Sequence, residues 1–184
     1  SSGMLIPRVS VKNVDLARIG FGQAVAGTPV QLAAAVASCI NGGYLYRPYI
    51  VEELTDQNGN LAYRGGPYVR NTTVSKSTCE TLKDYLYGVV EEGSGKNAAV
   101  PGYKIGGKTG TAQKIPRDAG TYLVSYIGFA PLDDPQVVVY VVVDEANSDN
   151  QSNSAYAQSI AKNIFTELLT YMNIFPDEVT ASGT

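Results

Sequence analysis

The segment GYKIGGKTGTAQ, residues 102–113, carries the strongest chemical signal in the chain. Read from Gly102, it fits the phosphate-loop pattern G-x-x-x-x-G-K-[ST], which ends at Thr109 and binds nucleotide phosphates. Read from Lys108, it is Lys-Thr-Gly followed by Thr111. That set offers a fixed positive charge and two hydroxyl donors for a carboxylate, with backbone N–H groups beside them for an oxyanion. The first reading predicts nucleotide hydrolysis and the second predicts acyl transfer.

The flanking sequence favours the second reading. A phosphate loop needs a buried strand before it and a helix that begins at its Lys-Thr pair. The preceding NAAVPG predicts no strand, and Gly110 and Pro116 do not permit a helix after Thr109. The segment VVVYVVVDE matches the apolar strand that carries a magnesium-binding Asp in phosphate-loop enzymes, with Asp144 at the corresponding place. This match is one of sequence pattern only.

We therefore expect KIGGKTGTAQK to be a strand. Its glycines at 106, 107 and 110 would let a ligand lie close along the backbone. Taken alone, the motif fits equally well a glycine-rich structural strand with a solvated lysine. The neighbouring segments must decide between these two alternatives.

Composition indicates one globular domain and excludes several classes of function. The 184 residues are 44% hydrophobic and 17% charged, which suffices for a core. A net charge of −3 without a basic run argues against a nucleic-acid partner. No apolar run approaches the roughly 20 residues that cross a bilayer, and no signal-peptide pattern is present.

The chain contains no histidine, so no residue of this chain can act as a histidine base, and the commonest zinc ligand is missing. A base supplied by this chain would be Lys, Asp, Glu or Tyr. The two cysteines, Cys39 and Cys79, fall in predicted helices and are expected to be packed thiols. We predict no metal and no cofactor.

Three helices are predicted. The first, in GTPVQLAAAVASCINGG, has an N-cap and capping box at Thr28 and Gln31, and its small apolar residues predict burial on several sides. The second, near 75–90, has a capping box at Ser77 and Glu80. The third, from about 154 to 172, should bury one stripe, formed by Ala157, Ile160, Ile164, Leu168 and Met172.

The strands are expected to be antiparallel. YLYRPYIVEEL and NLAYR, separated by TDQNGN, predict a short hairpin. The segments 121–130 and 136–146 are joined by only PLDDP, which is too short for a parallel crossover. With the Lys-Thr-Gly strand they form an antiparallel run of three. The predicted fold class is α/β (α+β), with an antiparallel sheet flanked by helices, and residues 177–184 form a disordered tail.

Three longer segments resemble class B penicillin-binding proteins, the monofunctional peptidoglycan transpeptidases. They are VEEGSGKNAAVPGYKIGGKTGTAQK, GFGQAVAGTPVQLAAAVASCINGGYLYRPYIVEEL and SYIGFAPLDDPQVVVYVVVDE. The similarity runs over about residues 1–172 and is greatest to the division and sporulation enzymes of that family. The resemblance implies a serine β-lactamase/transpeptidase-like fold, of which residues 1–176 are the C-terminal part.

The resemblance also implies a mechanism. A serine of a Ser-x-x-Lys helix attacks the D-Ala-D-Ala amide of a stem peptide, an amine of a second peptide resolves the acyl-enzyme, and β-lactam antibiotics acylate the same serine. Only the third family motif maps onto this chain. Lys108 would be catalytic, through the proton relay, and would bind substrate with Thr109, Gly110 and Thr111, while the Thr111 amide would form half of an oxyanion hole. Family membership further implies an extracytoplasmic site and a membrane anchor in an N-terminal segment.

The serine and Ser-x-Asn motifs are expected upstream of this chain, in an N-terminal half that would be its partner. SIAK (159–162) and SDN (148–150) match these patterns, but they follow the Lys-Thr-Gly strand, which would require a permuted order. We expect Ser159 and Lys162 to be surface residues. Without the nucleophile the chain alone should be inactive. The alternatives are a β-lactam sensor of similar fold and, less favoured, the phosphate-loop NTPase.

Overall fold

The computed structural model describes residues 3–20, 22–23 and 25–177. Four α-helices are present in this part of the chain: α1 (Asn13–Gly20), α2 (Pro29–Ile40), α3 (Lys76–Glu91) and α4 (Ala155–Tyr171). The strands are β1 (Tyr44–Tyr46), β2 (Glu53–Thr55), β3 (Leu61–Arg64), β4 (Val69–Thr72), β5 (Gly106–Gln113), β6 (Tyr122–Ala130) and β7 (Val137–Asp144). Helix α1 falls in a region where the sequence predicts irregular structure. None of the described helices is long and apolar enough to cross a membrane.

The main sheet has the strand order β5-β6-β7, and both of its pairings are antiparallel. This confirms the predicted run of three strands. The predicted hairpin is confirmed only between β2 and β3, because β1 pairs with β4 instead. The chain thus forms a mixed α/β structure with antiparallel sheets, as expected.

The core lies between α4 and one face of the main sheet. Tyr126, Ala157, Ala161, Phe165 and Leu169 are fully buried there. The predicted stripe of α4 is confirmed at Ala157 and, in part, at Leu168, which packs half-buried against this core. It is wrong at Ile160, Ile164 and Met172, which are 45%, 39% and 37% exposed. The small alanines let the helix approach the sheet, and hydrophobicity alone does not distinguish that face from the isoleucine face.

Helix α2 begins as predicted. The Thr28 side chain accepts from the Gln31 N–H, and the Gln31 side chain accepts from the Thr28 N–H, which completes the capping box. Its predicted burial is wrong, because only Ser38 and Ile40 of this helix are buried. Ile40 packs with Phe129 of the sheet and with Leu132, whereas Val30, Ala33, Ala34 and Ala37 border an open groove.

Helix α3 begins two residues earlier than the predicted capping box at Ser77 and Glu80 implies. Ser75 is the N-cap, and its hydroxyl accepts from the Thr78 N–H. Glu80 instead pairs with Lys83, whose buried ammonium also donates to the Asp133 carbonyl in the β6–β7 connection. The helix is thereby attached to the end of the sheet.

The segment after α4 contacts the turn that leads into β5. The Asp177 N–H donates to the Gly102 carbonyl, and an Asp177 carboxylate oxygen accepts from the Lys104 N–H. The Tyr103 hydroxyl donates to the Ile174 carbonyl. Asp177, which the sequence assigns to the disordered tail, is thus hydrogen-bonded, and the other predicted tail residues, 178–184, lie outside the described residues.

Candidate active site

Strand β5 is an edge strand, since none of the described strands pairs with its outer side. Beyond its last residue, the Lys114 N–H donates to the Thr121 carbonyl, toward the β6 side. Backbone groups alternate in direction along an antiparallel strand. The even-numbered residues of β5 therefore direct their backbone groups at β6, and Gly107, Thr109 and Thr111 direct theirs outward. The Thr111 N–H is thus available at the open edge, as an oxyanion donor must be.

Lys108 lies in the middle of β5 with an exposed side chain. Its Nζ donates to the carbonyl of Thr109 at 2.9 Å, which brings the ammonium to the outer edge of the strand. No helix begins here, and the sheet is antiparallel, so the phosphate-loop reading is excluded. The ammonium and the outward N–H of Thr111 are therefore on the same edge of the strand.

Thr109 and Thr111 lie on the opposite face of β5 from Lys108, since side chains alternate along a strand. The Thr109 hydroxyl is 3.0 Å from the Ser94 hydroxyl, and the Thr111 hydroxyl donates to the Ser152 carbonyl at 3.4 Å. The strand edge is the region that the lysine and both threonines share. A carboxylate that contacts all three must lie along that edge and not on either face.

A groove of about 760 Å³ borders this edge. Besides the four predicted site residues, its lining includes Gln23 from the segment after α1, and Ser125 and Tyr140 from the sheet. Ser125 and Tyr140 are on the Lys108 face of the sheet. Sequence reasoning missed Ser125 and Tyr140 because β6 and β7 are apolar strands in which single polar side chains carry no spacing signal.

The glycines of β5 have a packing role that differs from the predicted one. A Cβ on Gly106 would lie 2.4 Å from the Phe129 ring, and a Cβ on Gly107 would lie 2.1 Å from the Tyr126 hydroxyl. Gly110 faces Ser125, whose Oγ would be 2.5 Å from its Cβ. At 106 and 107 the absence of a side chain thus permits close packing against aromatic rings within the sheet. That these glycines also serve ligand approach stays a prediction.

Directly after β5, the Lys114 ammonium forms ion pairs with two carboxylates. Lys114 donates to Asp144 at 2.8 Å and to Glu145 at 2.6 Å, which joins the end of β5 to the end of β7. These hydrogen bonds raise the pKa of the Lys114 ammonium, and the bond to Asp144 has the larger effect.

The Tyr126 hydroxyl lies buried under β5. Burial raises its pKa, and no hydrogen-bond partner for it is present in the described part of the chain.

The two upstream-motif lookalikes do not contribute to this groove. Ser159 is exposed on α4, and Lys162 is half-buried on the same helix. Ser148 bonds instead to the Tyr156 hydroxyl at 2.5 Å. Neither SIAK nor SDN supplies a lining residue of the groove beside Lys108. Their interpretation as coincidental matches agrees with this placement.

Neither cysteine forms a disulfide, as expected from the sequence. Cys79 is buried and Cys39 is half-buried, and both are free thiols. In the ranges 3–20, 22–23 and 25–177, no group of three or more His, Cys, Asp or Glu residues could hold a metal ion.

Comparison with protein families matches residues 1–168 to the penicillin binding protein transpeptidase domain. The chain belongs to this family. Penicillin-binding protein relatives include stage V sporulation protein D of Bacillus subtilis, which is 40% identical over 179 residues, or 95% of this chain and 28% of that protein. Peptidoglycan D,D-transpeptidase FtsI of Escherichia coli K12 is 28% identical over 184 residues, or 97% of this chain and 29% of that protein.

Solved penicillin-binding protein structures have the same fold. The apo transpeptidase domain of Burkholderia pseudomallei penicillin-binding protein 3 has a TM-score of 0.81 at 29% identity and covers 96% of this chain. Penicillin-binding protein 3 of Mycobacterium tuberculosis, complexed with ampicillin, has a TM-score of 0.84 at 26% identity and covers 98% of this chain. This chain spans 52% and 43% of those two chains, respectively, and under a third of its curated relatives. The family inferred from the sequence is confirmed.

Proposed function

We propose that residues 1–176 are the C-terminal part of a serine-type peptidoglycan D,D-transpeptidase domain. The observation that carries the proposal is the open edge of β5, where the Lys108 ammonium, the hydroxyls of Thr109 and Thr111, and outward N–H groups occur together. In this family such an edge would bind the terminal carboxylate of a D-Ala-D-Ala stem peptide. The nucleophilic serine and the Ser-x-Asn motif would come from an N-terminal half of the same domain.

The chemistry follows from the groups at the edge. The incoming serine Oγ attacks the carbonyl carbon of the D-Ala-D-Ala amide, and the outward Thr111 N–H donates to the oxyanion that forms. Lys108 stabilises the negative charge and takes part in moving the serine proton, and terminal D-Ala leaves as the amine. An amino group of a second stem peptide then attacks the acyl-enzyme, which forms the cross-link and frees the serine.

The same edge would bind β-lactam antibiotics, because they carry a carboxylate beside a reactive amide. The names of related structures support this part of the proposal: penicillin-binding protein 3 of Mycobacterium tuberculosis was solved with ampicillin and with aztreonam. No cofactor, metal or nucleic acid enters the reaction. Since peptidoglycan is cross-linked outside the cytoplasmic membrane, the site would act on the extracytoplasmic face, held there by an N-terminal membrane anchor.

The covalent step needs a nucleophile, and we propose that these 184 residues alone lack it. Labelling with a fluorescent penicillin tests this directly. The chain alone should stay unlabelled, and the complete domain, with the upstream segment joined or co-expressed, should be labelled on an upstream serine. Labelling of the chain alone at Ser159 would contradict the proposal. A Ser159→Ala variant of the complete domain is the matched control and should label as wild type does.

A cross-linking assay then separates an enzyme from a sensor. The complete domain should join a donor stem pentapeptide to an acceptor amine and release D-Ala. A domain that is acylated by penicillin but neither releases D-Ala nor forms the cross-link would be a β-lactam sensor.

A further inference from the structure

Ser94 lies beside the carboxylate-binding edge although it belongs to a different element. Its hydroxyl is 3.0 Å from the Thr109 hydroxyl, and either oxygen can be the donor. Ser94 is in the loop between α3 and the short 3₁₀ turn Lys96–Ala98. This contact is therefore a long-range one, and it depends on how firmly the loop is held.

The loop is held at both of its ends. The N–H groups of Glu92 and Gly93 both donate to the Gly88 carbonyl at the end of α3, at 3.0 and 3.1 Å. The Gly95 N–H donates to the Val89 carbonyl at 2.9 Å. These bonds fix the two residues that flank Ser94.

On its other side the loop is attached to α4 through a buried glutamine. The Asn97 N–H donates to Oε1 of Gln158 at 3.1 Å, and Nε2 of Gln158 donates to the Ser154 hydroxyl at 3.1 Å. The Gln158 residue is only 2% exposed. Because a buried amide with both ends bonded cannot shift without losing hydrogen bonds, the loop cannot move independently of the core.

We propose that Ser94 is a positioning residue that sets the direction of the Thr109 hydroxyl. A carboxylate can only accept hydrogen bonds. When one binds at the edge, Thr109 must donate to it, and its own oxygen is then free to accept from Ser94. The resulting chain runs from Ser94 to Thr109 to the carboxylate, and each donor polarises the next. The identity of the ligand rests on the proposed transpeptidase function, whereas the Ser94–Thr109 contact does not.

The test is the second-order rate of acylation of the complete domain by benzylpenicillin. Ser94→Ala should lower this rate by about 3- to 10-fold, the size expected for one neutral hydrogen bond. Ser94→Thr keeps the hydroxyl and should restore most of the rate. Ser159→Ala removes an exposed serine hydroxyl elsewhere and should have no effect.

Two further measurements distinguish positioning from a general structural effect. With the methyl ester of benzylpenicillin, which has no carboxylate, Ser94→Ala and wild type should react equally fast. The effects of Ser94→Ala and Thr109→Val should not multiply in the double variant, since both remove the same hydrogen-bond chain. The melting temperature of each variant shows that the domain remains folded.

The outcomes separate the two proposals. Equal benzylpenicillin rates for Ser94→Ala and wild type would overturn the role of Ser94 and leave the transpeptidase proposal standing. An equal loss with the acid and the ester, or fully multiplying effects with Thr109→Val, would also overturn it. A complete wild-type domain that no penicillin labels would overturn the proposed function itself, and with it the ligand of this chain of hydroxyls.

Discussion

The Tyr126 hydroxyl lies against the backbone of Gly107 on the neighbouring strand, so closely that a Cβ at position 107 would be 2.1 Å from it. Gly107 immediately precedes Lys108, and the Tyr126 ring is completely buried beneath β5. The aromatic ring thus occupies the volume that a side chain at 107 would need. It is a support on which the lysine-bearing strand rests.

Gly107→Ala should destabilise the complete domain by about 1–3 kcal/mol, because a methyl group would be forced into a packed aromatic side chain. It should also lower penicillin acylation, since β5 must move away from Tyr126. Gly88→Ala, on α3, is the matched control, because a Cβ there meets nothing within 4 Å. That change should stabilise the helix slightly. Urea unfolding measures both, and equal stability of the two variants would contradict the packing described.

Tyr126→Phe should leave the free energy of unfolding unchanged or raise it by about 1 kcal/mol, because a buried hydroxyl without a partner costs desolvation energy. The ring, and with it the support under β5, is retained. In a Gly107→Ala background the same change should recover part of the lost stability, since the hydroxyl oxygen is the atom closest to the added Cβ. A clear loss of stability in Tyr126→Phe would mean that the hydroxyl is hydrogen-bonded.

Lys108→Met should reduce benzylpenicillin acylation of the complete domain by roughly 10- to 100-fold, the size of a charged hydrogen bond to the ligand carboxylate. The melting temperature should hardly change, because the side chain is exposed and bonds only to a carbonyl at the strand edge. Lys104→Met, an exposed lysine before β5, is the control and should acylate normally. A similar loss in both variants would point to net charge and not to the edge site.

Alkaline pH should weaken the link between β5 and β7. The pKa of Lys114 is raised above its ordinary value of 10.5 by Asp144 and Glu145, so the folded state holds the proton more tightly than the unfolded state. The stability from this triad is fully present below about pH 10.5 and is lost as the pH rises through the folded-state pKa. The stability difference between wild type and Lys114→Met should therefore shrink above pH 10.5. A difference that stays constant up to pH 12 would contradict the assignment.

Local sequence signals predict the elements of this fold well. Three signals act over only a few residues: the capping box at Thr28, the short connection between β6 and β7, and Gly110, which argues against a helix after Thr109. The helix start, the antiparallel pairing and the strand that they predict are all confirmed. Tertiary features are predicted less well. On α4 the buried face contains Ala161, Phe165 and Leu169, whereas the predicted Ile160 and Ile164 are exposed. Both sets have the apolar spacing of a helix, so periodicity alone does not say which of them packs on the sheet.

The candidate site shows the same division. Lys108, Thr109, Gly110 and Thr111 are neighbours along one strand, so their spacing is visible in the sequence. Ser94 is brought to Thr109 only by the path of the α3–β5 connection, and the pairing of β1 with β4 likewise depends on chain path. The Gly-Ser-Gly run at 93–95 signals a turn, but nothing in it indicates which hydroxyl the serine will meet.

The segment after α4 has a practical consequence for protein engineering. Asp177 is hydrogen-bonded to the backbone of Gly102 and of Lys104, which lie just before the lysine-bearing strand. The segment after α4 therefore helps to fix the position of the start of β5. An affinity tag or fluorescent fusion joined directly at Asp177 should weaken these hydrogen bonds and thereby shift the start of β5 and the proposed penicillin-binding edge. A flexible spacer beyond Asp177 would let such a reporter be attached without altering the site it is meant to observe.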